Sequence, residues 1–311
     1  MIAAEHKIKE VLARAPGWAG RDFSCSLAVP PVASPMQRGV DGHGRLIESA
    51  GCFFLKLPAE EAGLFVDAKV SAGVAAQAGD LGVAPPLLWA DTETGAALWH
   101  YLDRSWRTAG LADLEDPDTM AKVIDVKRRL HQWLPLARTR SVFDLVERYA
   151  AEAARCGVML PDDYPWMLDN VRNIAAAMGA AGFDVTPCHG DGFASNVMLA
   201  ADGRVLLVDW DEAVNADPYW DLGSLFAEAF PFDPQARAAL ESYAGRCDEA
   251  LFARCRLYGI ADDLAWATRS MIAATITERV DIEFFKYAQW RFLRCRMSLR
   301  DRGFEERLRT I

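Results

Sequence analysis

Three polar residues with a defined spacing are the feature of this sequence best suited to chemistry. Asp191 is followed five positions later by Asn196, and Asp209 comes directly after the apolar run 205–208. This spacing is typical of a loop, a strand and a turn, so the three side chains could meet at one point. One carboxylate could orient an attacking hydroxyl, while an amide and a second carboxylate hold Mg²⁺ on nucleotide phosphates. The pattern indicates phosphoryl transfer.

The same residues have a simpler structural explanation. Asp and Asn are common turn residues, so they could merely stabilise a tight connection and the end of a strand. Two observations favour the chemical interpretation. The turn signal Asp202-Gly203 precedes an apolar run that is typical of a buried strand. An Asp placed directly after such a strand is costly to bury unless it meets a metal or strong donors.

Residues 188–224 resemble the choline/ethanolamine kinase and aminoglycoside phosphotransferase superfamily, which has a protein-kinase-like fold. Within them, 215–222 (Asn-Ala-Asp-Pro-Tyr-Trp-Asp-Leu) is most similar to the bacterial choline-kinase-like branch. Residues 11–18 and 287–295 are similar to the opening helix and to one of the last helices of that branch. The resemblance implies an α+β, bilobal fold, with a small N-terminal β-sheet lobe carrying one main helix and a larger, mostly helical C-terminal lobe.

The resemblance also implies roles for individual residues and implies ATP and Mg²⁺ as cofactors. Asp191 would be the catalytic base, and Asn196 and Asp209 would bind Mg²⁺. Asp221 would support the catalytic loop from below. From its position two residues before the base, His189 is expected to brace that loop through hydrogen bonds rather than to act in catalysis. The residues expected to bind the nucleotide are Lys56, Ser34, Trp99 and Tyr101.

Lys56 lies in an apolar stretch, 52–57, where a buried charge is expensive unless it meets an anion. It could instead be an edge-strand lysine that reaches water. The resemblance makes it the strand lysine that contacts the α- and β-phosphates. The family places a glutamate partner on the following helix, and that position falls here on Ser71, which cannot neutralise the lysine. Other acidic residues could substitute: Asp67, Glu60 and Glu61.

The phosphate-covering loop is where the sequence departs most from the family. Choline-kinase-like proteins have a Gly-Gly-Leu-Thr-Asn type of loop, and the corresponding residues here, 29–36, are Val-Pro-Pro-Val-Ala-Ser-Pro-Met. Prolines offer no N–H to a phosphate, and the glycine pair that lets backbone approach a nucleotide is missing. Glycines at 39, 42 and 44 could form a displaced cover or a flexible hairpin, and we favour the hairpin.

Aromatic and acidic residues are numerous after residue 209. Aromatic faces and carboxylates suit a quaternary ammonium, so an amino alcohol such as choline or ethanolamine is the expected acceptor. An aminoglycoside or another small hydroxylated metabolite is the enzymatic alternative. A pseudokinase, which binds without transferring phosphate, is the alternative from a different class. The expected substrate-binding residues are Trp210, Asp211, Trp220, Trp266 and Trp290.

Bulk properties agree with a soluble enzyme. The 311 residues suffice for a nucleotide-binding lobe over 1–98 and a catalytic and substrate-binding lobe over 99–311. A net charge of −10 argues against a general nucleic-acid-binding surface. Seven scattered cysteines without a CxxC pair indicate a reducing compartment. The sequence shows neither a signal-peptide core nor a membrane-length apolar run, so we expect a cytoplasmic protein with no membrane partner.

Hydrophobic periodicity predicts the secondary structure. A loop is expected over 30–51. Strands are predicted over 23–29, 52–58, 87–89 and 96–100, and helices over 4–14, 65–80, 117–133, 141–156, 165–181, 234–245, 248–257, 261–278 and 282–300.

Overall fold

The computed structural model describes residues 2–33 and 37–311. Up to residue 100, an antiparallel sheet is accompanied by two helices. These elements are α1 (Ile2–Ala13), β1 (Ser24–Leu27), β2 (Val32–Ala33), β3 (Gln37–Arg38), β4 (Gly42–Glu48), β5 (Cys52–Pro58), α2 (Ala68–Leu81), β6 (Leu87–Ala90) and β7 (Ala97–His100). The main sheet has the order β1-β4-β5-β7-β6, and β2 pairs with β3 in a separate hairpin.

The sheet and helix α1 share one small apolar core. Leu55 of β5 is fully buried with Ile47 of β4 and Leu98 of β7, and Ile8 and Leu12 of α1 belong to the same cluster. Each such side chain contributes about 1.5–3 kcal/mol when it is buried, so this cluster stabilises the docking of α1 on the sheet. The structure confirms the predicted helices 4–14 and 65–80 and the predicted strands 23–29, 52–58, 87–89 and 96–100.

The loop predicted for 30–51 is wrong over much of its length, because residues 42–48 form β4 between β1 and β5. The prediction failed because glycine is depleted in strands. At this strand a glycine is required by close packing. A Cβ at Gly42 would lie 2.4 Å from the carbonyl oxygen of Leu57 on β5.

After residue 100 the chain is mostly helical, with short strands near its middle. The elements are β8 (Trp106–Thr108), α3 (Leu111–Glu115), α4 (Pro117–His131), α5 (Val142–Arg155), α6 (Tyr164–Ala181), β9 (Thr186–Cys188), β10 (Val197–Ala200), β11 (Val205–Leu207), β12 (Val214–Ala216), α7 (Pro218–Ala229), α8 (Asp233–Ala244), α9 (Glu249–Ile276), α10 (Phe284–Leu299) and α11 (Phe304–Thr310). The structure confirms the strand expected at 205–208 and the helices predicted over 117–133, 141–156, 165–181, 234–245 and 282–300.

Helix α9 is a single helix of 28 residues, so the predicted break between 248–257 and 261–278 is wrong. Gly259 lies inside the helix. Helices α7 and α9 approach so closely there that a Cβ at Gly259 would lie 3.2 Å from the carbonyl oxygen of Gly223. The glycine therefore serves helix packing. Since α9 is buried on nearly all sides, its sequence also lacks the one-sided apolar stripe that would have revealed its length.

The predicted α+β class is confirmed, with an antiparallel sheet in the N-terminal part and a mostly helical remainder. The chain leaves the first sheet after β7, at His100, and the next strand, β8, pairs with β10 in a different sheet. We propose that the lobes divide here, near the predicted boundary between 1–98 and 99–311. Among the helices of residues 2–33 and 37–311, none combines the length and the apolar composition needed to cross a bilayer.

Candidate active site

Two short strand pairs position the three residues with predicted chemistry. The loop between β9 and β10 ends at Asn196, and the turn after β11 begins with Val208 and Asp209. Because β10 pairs with β11, this loop and this turn lie side by side, and the N–H of Val208 donates to the carbonyl oxygen of Asn196 at 2.9 Å. The structure thereby brings Asp191, Asn196 and Asp209 to one cleft.

Asp191 is fixed through both of its carboxylate oxygens. Oδ1 accepts from the backbone N–H of Phe193 at 2.8 Å, and Oδ2 accepts from Nδ2 of Asn196 at 2.8 Å. The residue is only 8% exposed. Burial raises the pKa of Asp191 well above its usual value, and the nearby Asp209 carboxylate raises it further. The carboxylate is therefore held in one orientation with an increased affinity for a proton.

Asp209 adopts a left-handed backbone conformation, with a φ of 66°. Within the described part of the chain it is the one residue other than glycine with a positive φ. Asp and Asn tolerate this region better than most residues with a Cβ. The turn directs the carboxylate of Asp209 toward Lys56, whose Nζ lies 2.5 Å from Oδ1.

Lys56 finds its carboxylate partners in the turn after β11. Its Nζ contacts Asp209 and also Oδ2 of Asp211, at 2.6 Å. The positions that the sequence analysis considered as partners of Lys56 have other surroundings. Ser71 is buried in α2, and the side chain of Asp67 caps the first turn of that helix. Glu61 faces Arg279 at 3.3 Å. Nothing in the local sequence indicated that Lys56 would pair with Asp209 and Asp211 rather than with a residue on or before α2.

The electrostatics of the lysine and its partners follow from burial and pairing. Burial by itself would lower the pKa of Lys56, but Asp209 and Asp211 outweigh it and raise that pKa. Burial raises the pKa of Asp211 to about 6, although Lys56 opposes this shift. One cation thus holds together two carboxylates that would otherwise repel each other.

Asp221 supports the catalytic loop from a fully buried position. Its Oδ1 accepts from the N–H of Gly190 at 2.9 Å and from Nζ of Lys127 at 3.0 Å, and its Oδ2 lies 3.0 Å from Nε2 of His131. Burial would raise the pKa of Asp221, but Lys127 and His131 hold it well below the usual value. Sequence analysis missed both partners. A signal existed, because Lys127 interrupts the buried apolar face of α4.

His189 joins the loop to the end of β11. Its Nδ1 lies 3.1 Å from the carbonyl oxygen of Asp191, and its Nε2 lies 3.1 Å from that of Val208. Burial and the charge of Lys127 lower the pKa of His189 to about 4, so the ring is neutral near pH 7. A neutral imidazole donates from only one nitrogen, so one of these two contacts is a hydrogen bond at any moment.

The cleft is lined on one side by these acidic residues and on the other by residues 37–41. Asn196 and Asp209 offer the hard amide and carboxylate oxygens that Mg²⁺ prefers. Since Nδ2 of Asn196 donates to Asp191, its Oδ1 is the atom left for a metal. The donor set therefore fits a magnesium ion.

The remaining predicted site residues are distributed unevenly. Asp211 and Trp266 line the cleft. Trp210 is buried against the ring of His189, with centroids 4.6 Å apart, and does not line the cleft. Trp290 is 38% exposed on α10 and lines neither this cleft nor the cavity beside it. The structure does not bring these two tryptophans to the site.

Two further predictions concern the nucleotide. Trp99 of β7 packs against Phe54, with ring centroids 6.1 Å apart, and the N–H of Tyr101 donates to the carbonyl oxygen of Cys52. Both lie where the first sheet ends, outside the residues that line the cleft. Ser34 lies outside the described residues.

A second, small cavity adjoins the cleft, and Trp220, Trp266, Asp262 and Arg269 contribute to its lining. Arg269 lies with its guanidinium 4.5 Å from the centroid of the Trp266 ring, so a cation of the chain already covers one aromatic face. The sequence analysis missed Arg269, although an arginine between the apolar runs 264–267 and 271–274 is a recognisable signal.

This fold and this acidic cleft define a phosphotransferase, and comparison with known sequences agrees. Residues 38–258 match the family described as "Phosphotransferase enzyme family". Because the match covers well over half of the chain, the chain belongs to this family. The predicted enzyme class is confirmed.

Individual proteins are similar to this chain in fold or in part of their sequence. A choline/ethanolamine kinase family protein from Mesorhizobium loti superimposes with a TM-score of 0.81 at 23% identity, covering 100% of this chain and 99% of that one. Choline kinase LicA from Streptococcus pneumoniae does so with a TM-score of 0.77 at 18% identity, covering 96% and 99%. Protein LicA of Haemophilus influenzae is 26% identical over 172 residues, which is 54% of this chain. The match spans about half, 49%, of that curated relative.

Proposed function

We propose that this protein is an ATP- and Mg²⁺-dependent kinase that phosphorylates the hydroxyl group of a small amino alcohol such as choline or ethanolamine. One observation carries the proposal. Asp191, Asn196 and Asp209 meet at a cleft in which Lys56 approaches from the first sheet. A base, two metal ligands and a phosphate-binding cation are the parts that phosphoryl transfer requires.

In the proposed reaction, Asp191 orients the acceptor hydroxyl and takes its proton. The hydroxyl oxygen attacks the γ-phosphorus, and the new P–O bond forms as the bond to the bridging oxygen breaks. ADP leaves with that electron pair. Mg²⁺ held by Asn196 and Asp209 would neutralise phosphate charge, and Lys56 would contact the α- and β-phosphates. The raised pKa of Asp191 suits a proton acceptor, because a base works best when its pKa is near the working pH.

Asp221 and His189 would support catalysis by holding the loop that carries Asp191. The side chain of Asp221 does not line the cleft, but it accepts a hydrogen bond from the N–H of Gly190, the residue directly before the base. His189 holds the loop against β11 from the other side. We propose that both keep Asp191 in position without contacting the substrate.

The acceptor is the finer part of the proposal. Trp220 and Trp266 line the adjoining cavity together with Asp262, and aromatic rings and carboxylates are the groups that attract an ammonium ion. Arg269 already covers one face of Trp266, and Arg291 pairs with Asp262 at 2.6 Å, so an ammonium group would compete with these two arginines. The match to choline kinase LicA supports the same class of acceptor. Asp41, Asp211 and Glu212 add negative charge to the cleft, which also suits an aminoglycoside. An acceptor panel separates these two alternatives.

The expected surroundings are part of the same proposal. We propose a cytoplasmic enzyme whose binding partner is a small hydroxylated molecule rather than a nucleic acid or a membrane. All seven cysteines lie unpaired, and the net charge is −10. Both observations support this proposal, since free thiols suit a reducing compartment and a negative surface does not attract nucleic acid.

Asp191→Asn tests the proposed base. The variant keeps the size of the side chain and removes its ability to take a proton, so kcat should fall by about 100-fold or more. Binding of Mg-ATP, measured by calorimetry, should stay within about twofold, since the base contacts the acceptor hydroxyl rather than the nucleotide. Asp184→Asn, at an exposed aspartate before β9, is the control. Turnover of Asp191→Asn equal to that of Asp184→Asn would remove Asp191 from the base role.

A further inference from the structure

The segment 37–41, which follows the proline-rich stretch, is fastened across the cleft. The hydroxyl of Ser195 donates to the carbonyl oxygen of Gln37 at 2.5 Å. Arg279 donates to the carbonyl oxygens of Gly39 and Val40, at 3.1 and 2.7 Å. These bonds join the segment to the catalytic loop and to the residues that follow α9. Their number indicates a fixed cover rather than the flexible hairpin that the sequence favours.

A buried ion pair fixes the far end of the same segment. Asp41 pairs with Arg269, whose guanidinium also donates to Oε1 of Glu212 at 2.7 Å. Arg269 is 2% exposed, so its two carboxylate contacts are shielded from water. Breaking a buried pair of this kind is strongly unfavourable. The segment is therefore held from both ends over the cleft that contains Asp191.

Gln37 is the residue of this segment that has unused hydrogen-bonding capacity. It is 5% exposed and lines the cleft together with Asp191 and Asn196. Its Oε1 is fully buried, and none of the described residues offers it a hydrogen-bond partner. Leaving a buried polar atom unpaired costs about 1–3 kcal/mol, so an amide kept in this state points to a ligand that completes it.

We propose that the Gln37 carboxamide binds the γ-phosphoryl group of the nucleotide, an inference that rests on the proposed function. Rotation about the terminal bond exchanges the amide oxygen and nitrogen, so the same end can present N–H donors to phosphate oxygens. Arg38 also lines the cleft, but its Nε already donates to the carbonyl oxygen of Pro30 at 3.1 Å. Prolines at 30, 31 and 35 carry no N–H, and Lys56 is shared between two carboxylates. Gln37 thus replaces backbone donors that the family loop would supply.

The test compares two nucleotides that differ at the γ-position. Calorimetry measures the binding of Mg-ADP and of the magnesium complex of the β,γ-imido analogue of ATP to the full chain. Gln37→Ala should weaken binding of the triphosphate analogue by about tenfold, because it removes a hydrogen bond to a charged group. Binding of Mg-ADP should change by less than about twofold, since ADP lacks the γ-phosphoryl group.

Two further variants complete the design. Gln37→Glu is nearly isosteric and places a negative charge beside the phosphate. It should therefore weaken binding of the triphosphate analogue more than Gln37→Ala does. Gln77→Ala, at an exposed glutamine of α2, should leave both affinities unchanged. Circular dichroism verifies that each variant is folded. If Gln37→Ala fails to fold, Gln37→Glu alone decides the test.

The outcomes separate this inference from the proposed function. Wild-type protein that binds both nucleotides while the Gln37 variants retain both affinities would overturn the role of Gln37 alone. An equal loss for both nucleotides would also overturn it, since the side chain would then act on the cover as a whole. A folded wild-type protein that binds neither nucleotide would overturn the proposed function as well.

Discussion

Asp209 occupies a backbone conformation that is unfavourable for any residue with a Cβ. Its φ of 66° costs about 1–3 kcal/mol and persists only where the surrounding structure enforces it. The turn places its carboxylate within 2.5 Å of Lys56 and on the cleft that holds Asn196. A strained residue whose side chain completes an acidic cleft is typical of a functional position, which favours Asp209 as a metal ligand.

Asp209→Asn tests that assignment. Asparagine also adopts the left-handed conformation, so the backbone should be retained while one negative charge is lost. Affinity for Mg-ATP should fall by about 10–100-fold, the scale seen when groups that tune a metal site are removed. Affinity for ATP without magnesium should change less. Calorimetry in magnesium and in chelator measures both values, and an equal change in the two would argue against a metal ligand.

Lys127→Ala tests the buried network beneath the loop. The substitution leaves Asp221 charged at a position with no exposure, so the free energy of unfolding should fall by about 3–5 kcal/mol. Lys122→Ala, at an exposed lysine of the same helix, should change it by less than about 0.5 kcal/mol. Urea denaturation measures both. A loss for Lys127→Ala no larger than that for Lys122→Ala would show that this ion pair contributes little.

The sequence was sufficient to predict contacts among site residues that are close together along the chain. Asp191 and Asn196 are separated by one short loop, and Asp209 follows a recognisable strand, so their convergence could be predicted. The partner of Lys56 could not be, because Asp209 lies 153 positions away and the contact depends on how β5 meets the turn after β11. The expected position, Ser71, showed only that the usual partner was missing.

At the scale of elements, periodicity located most helices and strands, and each of the two main errors contains a closely packed glycine. In β4, Gly42 suggested a loop, although the neighbouring strand leaves no room for a Cβ there. In α9, Gly259 lies in the gap between the two predicted helices, although the helix is continuous there and α7 leaves little room for a Cβ. In both cases the glycine serves a close tertiary contact, and such contacts cannot be read from local sequence.

Arg279→Ala tests the fastening of the cover. The variant removes the donors to Gly39 and Val40, so hydrogen exchange of the amides in 37–41 should become faster. The KM for ATP should rise more than kcat falls, because the arginine positions the cover without contacting the substrate. Arg279→Lys should restore part of the protection.

Arg237→Ala is the matched control for that experiment, since Arg237 pairs with Glu249 at the surface, away from the cleft. It should leave exchange in 37–41 and both kinetic constants unchanged. Unchanged exchange in Arg279→Ala would mean that the Ser195 and Arg269 contacts hold the cover without it.

At the scale of the whole molecule, charged contacts join the N-terminal sheet region to the helical part across the cleft. Lys56 reaches Asp209 and Asp211, and Asp41 reaches Arg269. The resemblance to the kinase-like family predicted the α+β architecture, which requires such a cleft. These particular contacts could not be predicted, because each joins residues that are far apart in sequence and depends on how the two parts meet.

The measurement that tests the central claim most directly is mass spectrometry of candidate acceptors after incubation with ATP and the wild-type protein. The panel contains choline, ethanolamine and an aminoglycoside, each with magnesium and with chelator. The proposed function predicts that choline or ethanolamine gains one phosphoryl group, only when magnesium is present, and that Asp191→Asn abolishes the product. A folded protein that binds Mg-ATP but phosphorylates none of the panel would contradict an amino-alcohol kinase, and phosphorylation of the aminoglycoside alone would reassign the acceptor.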